Sequence, residues 1–408
     1  MAVRIDNVRL IDPAAQHDAV TSVIIENGRL MTGSAGMTAA EVIDAQGLWL
    51  TPAFVDLCAR LREPGNKAHG GVVSETRAAR AGGFLDVLVP PDTQPALDSG
   101  ALITQLLERA EEAGHAAVHA IGALTKGLEG KALSNMARLV KAGAIGVGNA
   151  RASFASAQTA QHCLEYAATL NLTVFFSPEE PSLAKGCAHD GFMAARLGLP
   201  GIPDTAETIA LATQLLLVEQ TGVRAHFGQL SCKGSVELIR IAKEKGLPVS
   251  ADVAMHHLHL TDAAIDGFNS MAHVRPPLRR EEDRAALREG VKSGIIDAIC
   301  SDHQPLDASA KLAPFPSTEP GMSTLETVLP LGLQLVRDGV LSESELLCAL
   351  TTQPARVLGL SKVSGWLLID PSEKWTADAE SLLSTGKNTP WLGRELQGRV
   401  RRAFTGRS

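Results

Sequence analysis

The sequence predicts an α/β fold: a (β/α)8 (TIM) barrel with a small β domain formed by both chain termini. Eight apolar, β-branched runs alternate with helix-like segments through the middle of the chain. Short strands of a different kind, with apolar and polar residues alternating, lie at the two ends.

In chain order, residues 1–50 offer VRIDNVRLID, SVIIENGRLM and VIDAQGLWL as short strands. Residues 51–360 then carry TPAFVDL, FLDVLVP, AAVHAIGAL, AIGVGN, LTVFFSP, VRAHFGQLS, LPVSADVAM and GIIDAICSD, the eight candidate barrel strands. Between them ALITQLLERAEEAG, TAETIALATQLLLVEQTG and REEDRAALREGVKSG show helical spacing with a glycine near the end. That alternation favours parallel strands joined by crossover helices. Residues 361–408 return to strands, GWLLIDP and LQGRVRRAFTG, which can pair with the N-terminal ones. Stretches 178–203 and 304–322 lack periodicity, and long loops after barrel strands build or cover a functional face.

Bulk properties exclude several function classes. The 408 residues are 45% hydrophobic and 20% charged, with a net charge of −7. This describes an ordinary globular protein without the basic excess of a nucleic-acid binder. The first thirty residues lack a basic start followed by an apolar run, and no run of eighteen apolar residues occurs, so the expectation is a cytoplasmic chain with no membrane partner. Six scattered cysteines without a CxxC pair read as reduced, mostly buried thiols.

The segment TPAFVDLCARLREPG resembles the opening barrel strand of dihydroorotases and related amidohydrolases, in which a hydrophobic-Asp lead runs into His-x-His and then Leu-Arg-Glu-Pro-Gly. The frame is intact, but His-x-His is replaced by Cys58-Ala59-Arg60. The likeness continues through SETRAARAGGF, ADVAMHHLHLTD, RPPLRREEDRAALREGVKSGIIDAICSDHQP, APFPSTEPGMSTLET, TTQPARVLGL and KNTPWLGRELQGRV, nearly the whole chain. It implies a metal-dependent (β/α)8 barrel flanked by a β domain from both termini, in agreement with the pattern of elements.

Dihydropyrimidine ring chemistry needs a polarised carbonyl and a hydroxide-like nucleophile, which bound zinc supplies by acidifying its water. The resemblance places family metal positions on six residues here. Cys58 and Arg60 stand for the two strand-one histidines, and a guanidinium cannot ligate. Asn149 stands for a carboxylate, Ser177 and Gln229 for histidines, and only Asp302 matches. His226, three residues before Gln229, faces the other way on a regular strand and reads as a packed or hydrogen-bonded histidine. Zinc is therefore expected to be absent. Among implied substrate-binding positions Arg62 matches, while Asp92 and Arg275 replace asparagines and Leu306 stands where a histidine is expected. Asp92 is expected to pair with Arg60 or Arg62 in a self-satisfied pocket.

Other constellations carry less. His256, His257 and His259 form a local cluster on a segment that does not bind metal in the family resembled. Cys58, His226, Asp302 and His303 could in principle meet at the barrel mouth as an improvised site. His115, His119 and His162 read as surface or packing residues. Neither a Gly-x-Ser-x-Gly elbow nor a phosphate loop occurs.

Taken together, the resemblance implies a catalytically inactive dihydroorotase homologue. Its expected role is a structural subunit for aspartate carbamoyltransferase in pyrimidine biosynthesis, in a hetero-oligomer of six plus six. Two rivals stay open: an active metal-dependent cyclic amidohydrolase with atypical ligands, and a small-carboxylate sensor that grips its ligand with Arg62 and Arg275.

Overall fold

The computed structural model describes residues 2–31 and 39–406. The N-terminal strands are β1 (Ala2–Asp12), β2 (His17–Glu26), β3 (Arg29–Met31), β4 (Glu41–Asp44) and β5 (Trp49–Pro52). Two of them correct the sequence reading. SVIIENGRLM is two strands, because Asn27 and Gly28 both take positive φ (48° and 71°), the backbone of a tight hairpin turn. VIDAQGLWL is likewise split, with Gly47 at φ 81° between β4 and β5.

The barrel strands follow: β6 (Phe54–Asp56), β7 (Phe84–Val89), β8 (Ala117–Ala123), β9 (Ala144–Gly148) and β10 (Thr173–Phe176). After a short pair, β11 (Ala188–His189) and β12 (Gly201–Ile202), come β13 (Arg224–Phe227), β14 (Val249–Ala254) and β15 (Ala298–Cys300). Each of the eight predicted runs contains one barrel strand, and neighbours in the order β6-β7-β8-β9-β10-β13-β14-β15 pair in parallel. The first and last strands meet just beyond their ends, through a parallel bridge between Ala59 and His303. There the Arg60 amide donates to the His303 carbonyl at 2.9 Å, and the His303 amide to the Cys58 carbonyl at 3.2 Å.

TPAFVDL serves two sheets. Thr51 and Pro52 pair with Leu367 and Trp366 of β16 (Gly365–Thr376), whereas Phe54–Asp56 enter the barrel. β16 is antiparallel to β17 (Glu395–Thr405), so the terminal sheet runs β17-β16-β5-β1-β2-β3, with β4 on β1.

The helices are α1 (Val72–Gly82), α2 (Gly100–Ala113), α3 (Met136–Lys141), α4 (Ala157–Thr169), α5 (Phe192–Leu197), α6 (Thr205–Thr221), α7 (Lys233–Glu244) and α8 (Glu281–Lys292). α9 (Val328–Arg337), α10 (Glu343–Leu350) and α11 (Thr352–Val357) follow. Gly114 and Gly222 close α2 and α6 with φ of 68° and 66°, a left-handed conformation open to glycine without strain. Their apolar faces pack on the outward side chains of the barrel in one large core. Val55, Leu88, Ile121, Phe175, Ala254, Ala298 and Cys300 form a second cluster, on which Ala355 and Leu358 close. The 178–203 stretch is less irregular than its sequence: it folds around α5 and the β11–β12 pair. Among the described residues no helix is long and apolar enough to cross a membrane.

Candidate functional site

The ends of the barrel strands bring Cys58, Arg60, Asp92 and Asp302 together. Cys58 and Arg60 lie just past β6, two residues apart, so both side chains reach the barrel mouth. The Arg60 guanidinium donates to the Asp302 carboxylate at 3.2 Å, to Asp92 at 2.9 and 3.0 Å, and approaches the Cys58 sulfur at 3.6 Å. Cys58 Sγ also lies 3.6 Å from Asp302, and Gln304 donates its amide to the same carboxylate at 3.2 Å.

This cluster is a closed ion-pair network. Burial alone lowers the Arg60 pKa, but Asp92, Cys58 and Asp302 outweigh it and the guanidinium is held more firmly protonated. Burial pushes the Cys58 thiol well above its usual range, against the pull of Arg60, so it stays an S–H rather than a ligating thiolate. A divalent ion here would have to displace a cation already paired with its only retained carboxylate. The donor set does not fit zinc, and among the described residues no group of three or more His, Cys, Asp or Glu side chains is disposed to hold a metal.

The remaining family positions are engaged elsewhere. Asn149 accepts from Thr125 Oγ1 at 2.7 Å and donates to the Ala152 carbonyl at 3.1 Å. Ser177 donates to Gln229 Oε1 at 3.0 Å. Gln229 sits at φ 55° with its amide hydrogen on Asp252 at 2.7 Å; this left-handed backbone is uncommon for a non-glycine residue.

The recognition residues separate. Arg62 and Asp92 line a cavity of about 280 Å³ with Arg60, Asn66, His69 and Glu319. Arg62 donates to the Pro305 carbonyl at 3.0 Å, and burial, reinforced by Arg60, lowers its pKa to about 10. Arg275 lies outside that lining and is clamped by Glu179 through two bonds of 2.6 and 2.7 Å, with a third to the Ala184 carbonyl at 3.1 Å. The two arginines of the rival carboxylate-sensor reading therefore lie apart, Arg275 being held by Glu179. Leu306 is buried, its amide bound to Asn388 at 2.9 Å.

The improvised histidine site is also corrected. His226 is a buried, hydrogen-bonded histidine, 2.8 Å from both Ser250 and Asp252. His303 lies 2.9 Å from Glu75 through Nε2, while its Nδ1 accepts the Thr324 amide at 3.0 Å. His119 lies within β8 and pairs with Asp86 at 2.9 Å. His256 and His257 are packed ring against ring at 4.6 Å in the interior, and burial lowers the His256 pKa to about 3.

Sequence reasoning did not single out the buried acids that organise this region. Glu75 joins His303 to Ser384 and the Thr385 amide, at 2.6 and 3.0 Å for the latter two. Asp56 binds the Ser301 amide at 2.8 Å and the Ser301 hydroxyl. Asp252 receives His226, Gln229 and the Cys300 thiol. The signal available for each was an acidic residue inside an otherwise apolar run or helix face.

Comparison with known proteins follows the same frame. A family model described as dihydro-orotase-like matches residues 47–235. A dihydroorotase-like protein of Pseudomonas aeruginosa is 47% identical over 98% of this chain and 97% of its own, and one from Pseudomonas putida matches to the same extent. A dihydroorotase of Trichlorobacter lovleyi is 37% identical over 98% of this chain and 96% of its own. Among solved structures, the L-hydantoinase (dihydropyrimidinase) of Arthrobacter aurescens superposes with a TM-score of 0.87 at 21% identity, covering 100% of this chain and 95% of that one. At that identity the likeness shows the fold.

Proposed function

Because this chain belongs to the dihydroorotase-like family, we propose that it is a catalytically inactive member acting as an assembly subunit for aspartate carbamoyltransferase in pyrimidine biosynthesis. One observation carries the inactivity: the Arg60 guanidinium is paired to Asp302 and Asp92 where convergent metal donors are needed. Without a metal-activated water, the cluster of Cys58, Arg60 and Asp302 lacks the hydroxide-like nucleophile that the ring chemistry uses at neutral pH. The Cys58 thiol is held protonated, and the Ser177 hydroxyl donates to the Gln229 amide oxygen instead of to a base. The division of names among relatives supports the same reading, since those at 47% identity are called dihydroorotase-like and those at 37–39% dihydroorotase.

A barrel of this kind acts on its partner by mass action: binding the folded transferase stabilises it without any reaction at the barrel mouth. The partner and a six-plus-six stoichiometry are carried by the sequence resemblance.

The test is metal content and dihydroorotase turnover on the purified chain, alone and mixed with aspartate carbamoyltransferase of the same organism. No bound metal, no turnover and a co-eluting, active transferase are expected. Near-stoichiometric zinc with turnover would make the chain an atypical hydrolase, the reading that the retained Asp302 and the dihydroorotase relatives favour.

A further inference from the structure

Outside the Arg60 cluster, a slot of about 200 Å³ opens between α4 and α6 at the end of β10. Its floor is apolar, made by Ala160 and Leu164 of α4, Phe176 of β10, and Ala210 and Leu217 of α6. Gln214 interrupts that floor. It lies on the same face of α6 as Ala210 and Leu217, and its side-chain oxygen is buried without a hydrogen-bond partner among the described residues. Leaving such an acceptor unpaired costs free energy, which a donor inside the slot would recover.

Among the described residues, two opposite charges also line the slot without a partner of opposite sign. Glu180 accepts the amide and the hydroxyl of Ser182 at 3.1 and 2.6 Å, both on one oxygen, and no arginine, lysine or histidine pairs with it. Arg151 donates to the Arg275 carbonyl at 2.6 Å, and no carboxylate pairs with it. Glu179, the other acid of the lining, is already engaged by Arg275. Both unpaired charges stand on held backbone. The Glu180 amide donates to the Ala206 carbonyl at 2.7 Å, and Asn149 ties down the loop of Arg151 through the Ala152 carbonyl at 3.1 Å.

We propose that this slot binds a small apolar α-amino acid as its zwitterion. The ammonium is taken by the Glu180 carboxylate and the Gln214 oxygen, the carboxylate by Arg151, and the side chain by the floor of Ala160, Leu164 and Phe176. Arg151 and Glu180 stand too far apart to pair directly, and a molecule with both charges on one carbon bridges them. A ligand carrying one charge alone would leave the other unmatched, and an acidic side chain would be set against an apolar floor. The inference goes beyond the proposed function and does not rest on it, since it invokes neither the transferase nor the Arg60 cluster.

Isothermal titration calorimetry on the full chain with L-leucine tests it. Saturable binding of one equivalent per chain is expected. Isoamylamine, which lacks the carboxylate, isocaproate, which lacks the ammonium, and L-aspartate should each bind at least about tenfold more weakly. Glu180→Gln and Arg151→Gln should each weaken L-leucine binding by at least about tenfold. Both side chains are partly exposed, so unchanged thermal unfolding of the unliganded variants separates a lost site from a lost fold, and the analogue series decides on the wild type alone. Absence of saturable L-leucine binding up to about 10 mM overturns the proposal. Isoamylamine, isocaproate or L-aspartate binding as tightly as L-leucine overturns it equally, as does L-leucine binding that either variant leaves unchanged.

Discussion

The guanidinium of Arg60 and the carboxylate of Asp302 lie 3.2 Å apart at the end of strands that start and finish the barrel. Asp302 is 1% exposed, so its charge is balanced by protein groups: Arg60, the Gln304 amide and the Cys58 thiol. Arg60, which stands where the family resembled has a ligand, thus neutralises the carboxylate beside it.

Arg60→Met should therefore destabilise the chain by about 3–5 kcal/mol, the usual consequence of stranding a buried ion. Urea unfolding measures it. Adding Asp302→Asn to the same chain should recover part of the loss; a loss below about 1 kcal/mol in the single variant would contradict the pairing's role.

Restoring two histidines should not restore a metal site. In Cys58→His/Arg60→His, Asn149 remains tied to Thr125 and Gln229 to Ser177, so too few donors converge. Elemental analysis after dialysis should find substoichiometric zinc, and near-stoichiometric retention would show that the mouth is more adaptable than its hydrogen bonds indicate.

Asp56 should give stability a pH slope. Burial, only partly offset by its bonds to Ser301 and Cys58, raises its pKa to about 7. The folded state then binds a proton that the unfolded chain, with a pKa near 3.9, has released, so this group's contribution is full below about pH 4 and is lost as pH rises through about 7. Asp56→Asn keeps an acceptor for the Ser301 amide, and the Ser301 hydroxyl can turn to the Cys58 carbonyl at 3.2 Å. Denaturation midpoints from pH 4 to 8 should fall less steeply in the variant than in the wild type; parallel curves would count against the assignment.

His303→Leu should cost about 3–5 kcal/mol by removing the ring beside the buried Glu75 carboxylate. Burial opposes ionisation of Glu75, but His303, Ser384 and Thr385 prevail and hold its pKa below the usual value. Its stabilisation is thus present above the unfolded pKa and lost as pH falls through the folded one. The double variant with Glu75→Gln should be closer to wild type than the single, which a double-mutant cycle in urea reads directly.

The barrel was legible because its strands are largely buried on both faces and therefore read as near-continuous apolar runs, FLDVLV being broken only by Asp86. Strand ends were less so: TPAFVDL gave no sign that Pro52 and Phe54 belong to different sheets, since both are buried and apolar. At the site, charge pointed to Asp92 pairing with Arg60 or Arg62, and the fold selects Arg60. Charge gave no sign of the capture of Arg275 by Glu179, because the two lie on separate loops that only the fold brings together. Glu75 and Asp56 escaped notice for a related reason: a lone acid in an apolar segment looks exposed until its partners, far along the chain, are placed.

The pairing of Thr51 with Leu367 bears on how the chain is made. β1 and β2 can form a hairpin soon after they leave the ribosome, but β5 has no neighbour on its β16 side until almost the last residues are synthesised. Until then the lead-in to the first barrel strand presents a bare edge, able to pair with any other strand. Completion of the C-terminal tail is what covers it, so truncations behind Gly365 should reveal themselves first as aggregation of nascent chains and only afterwards as a change in the barrel.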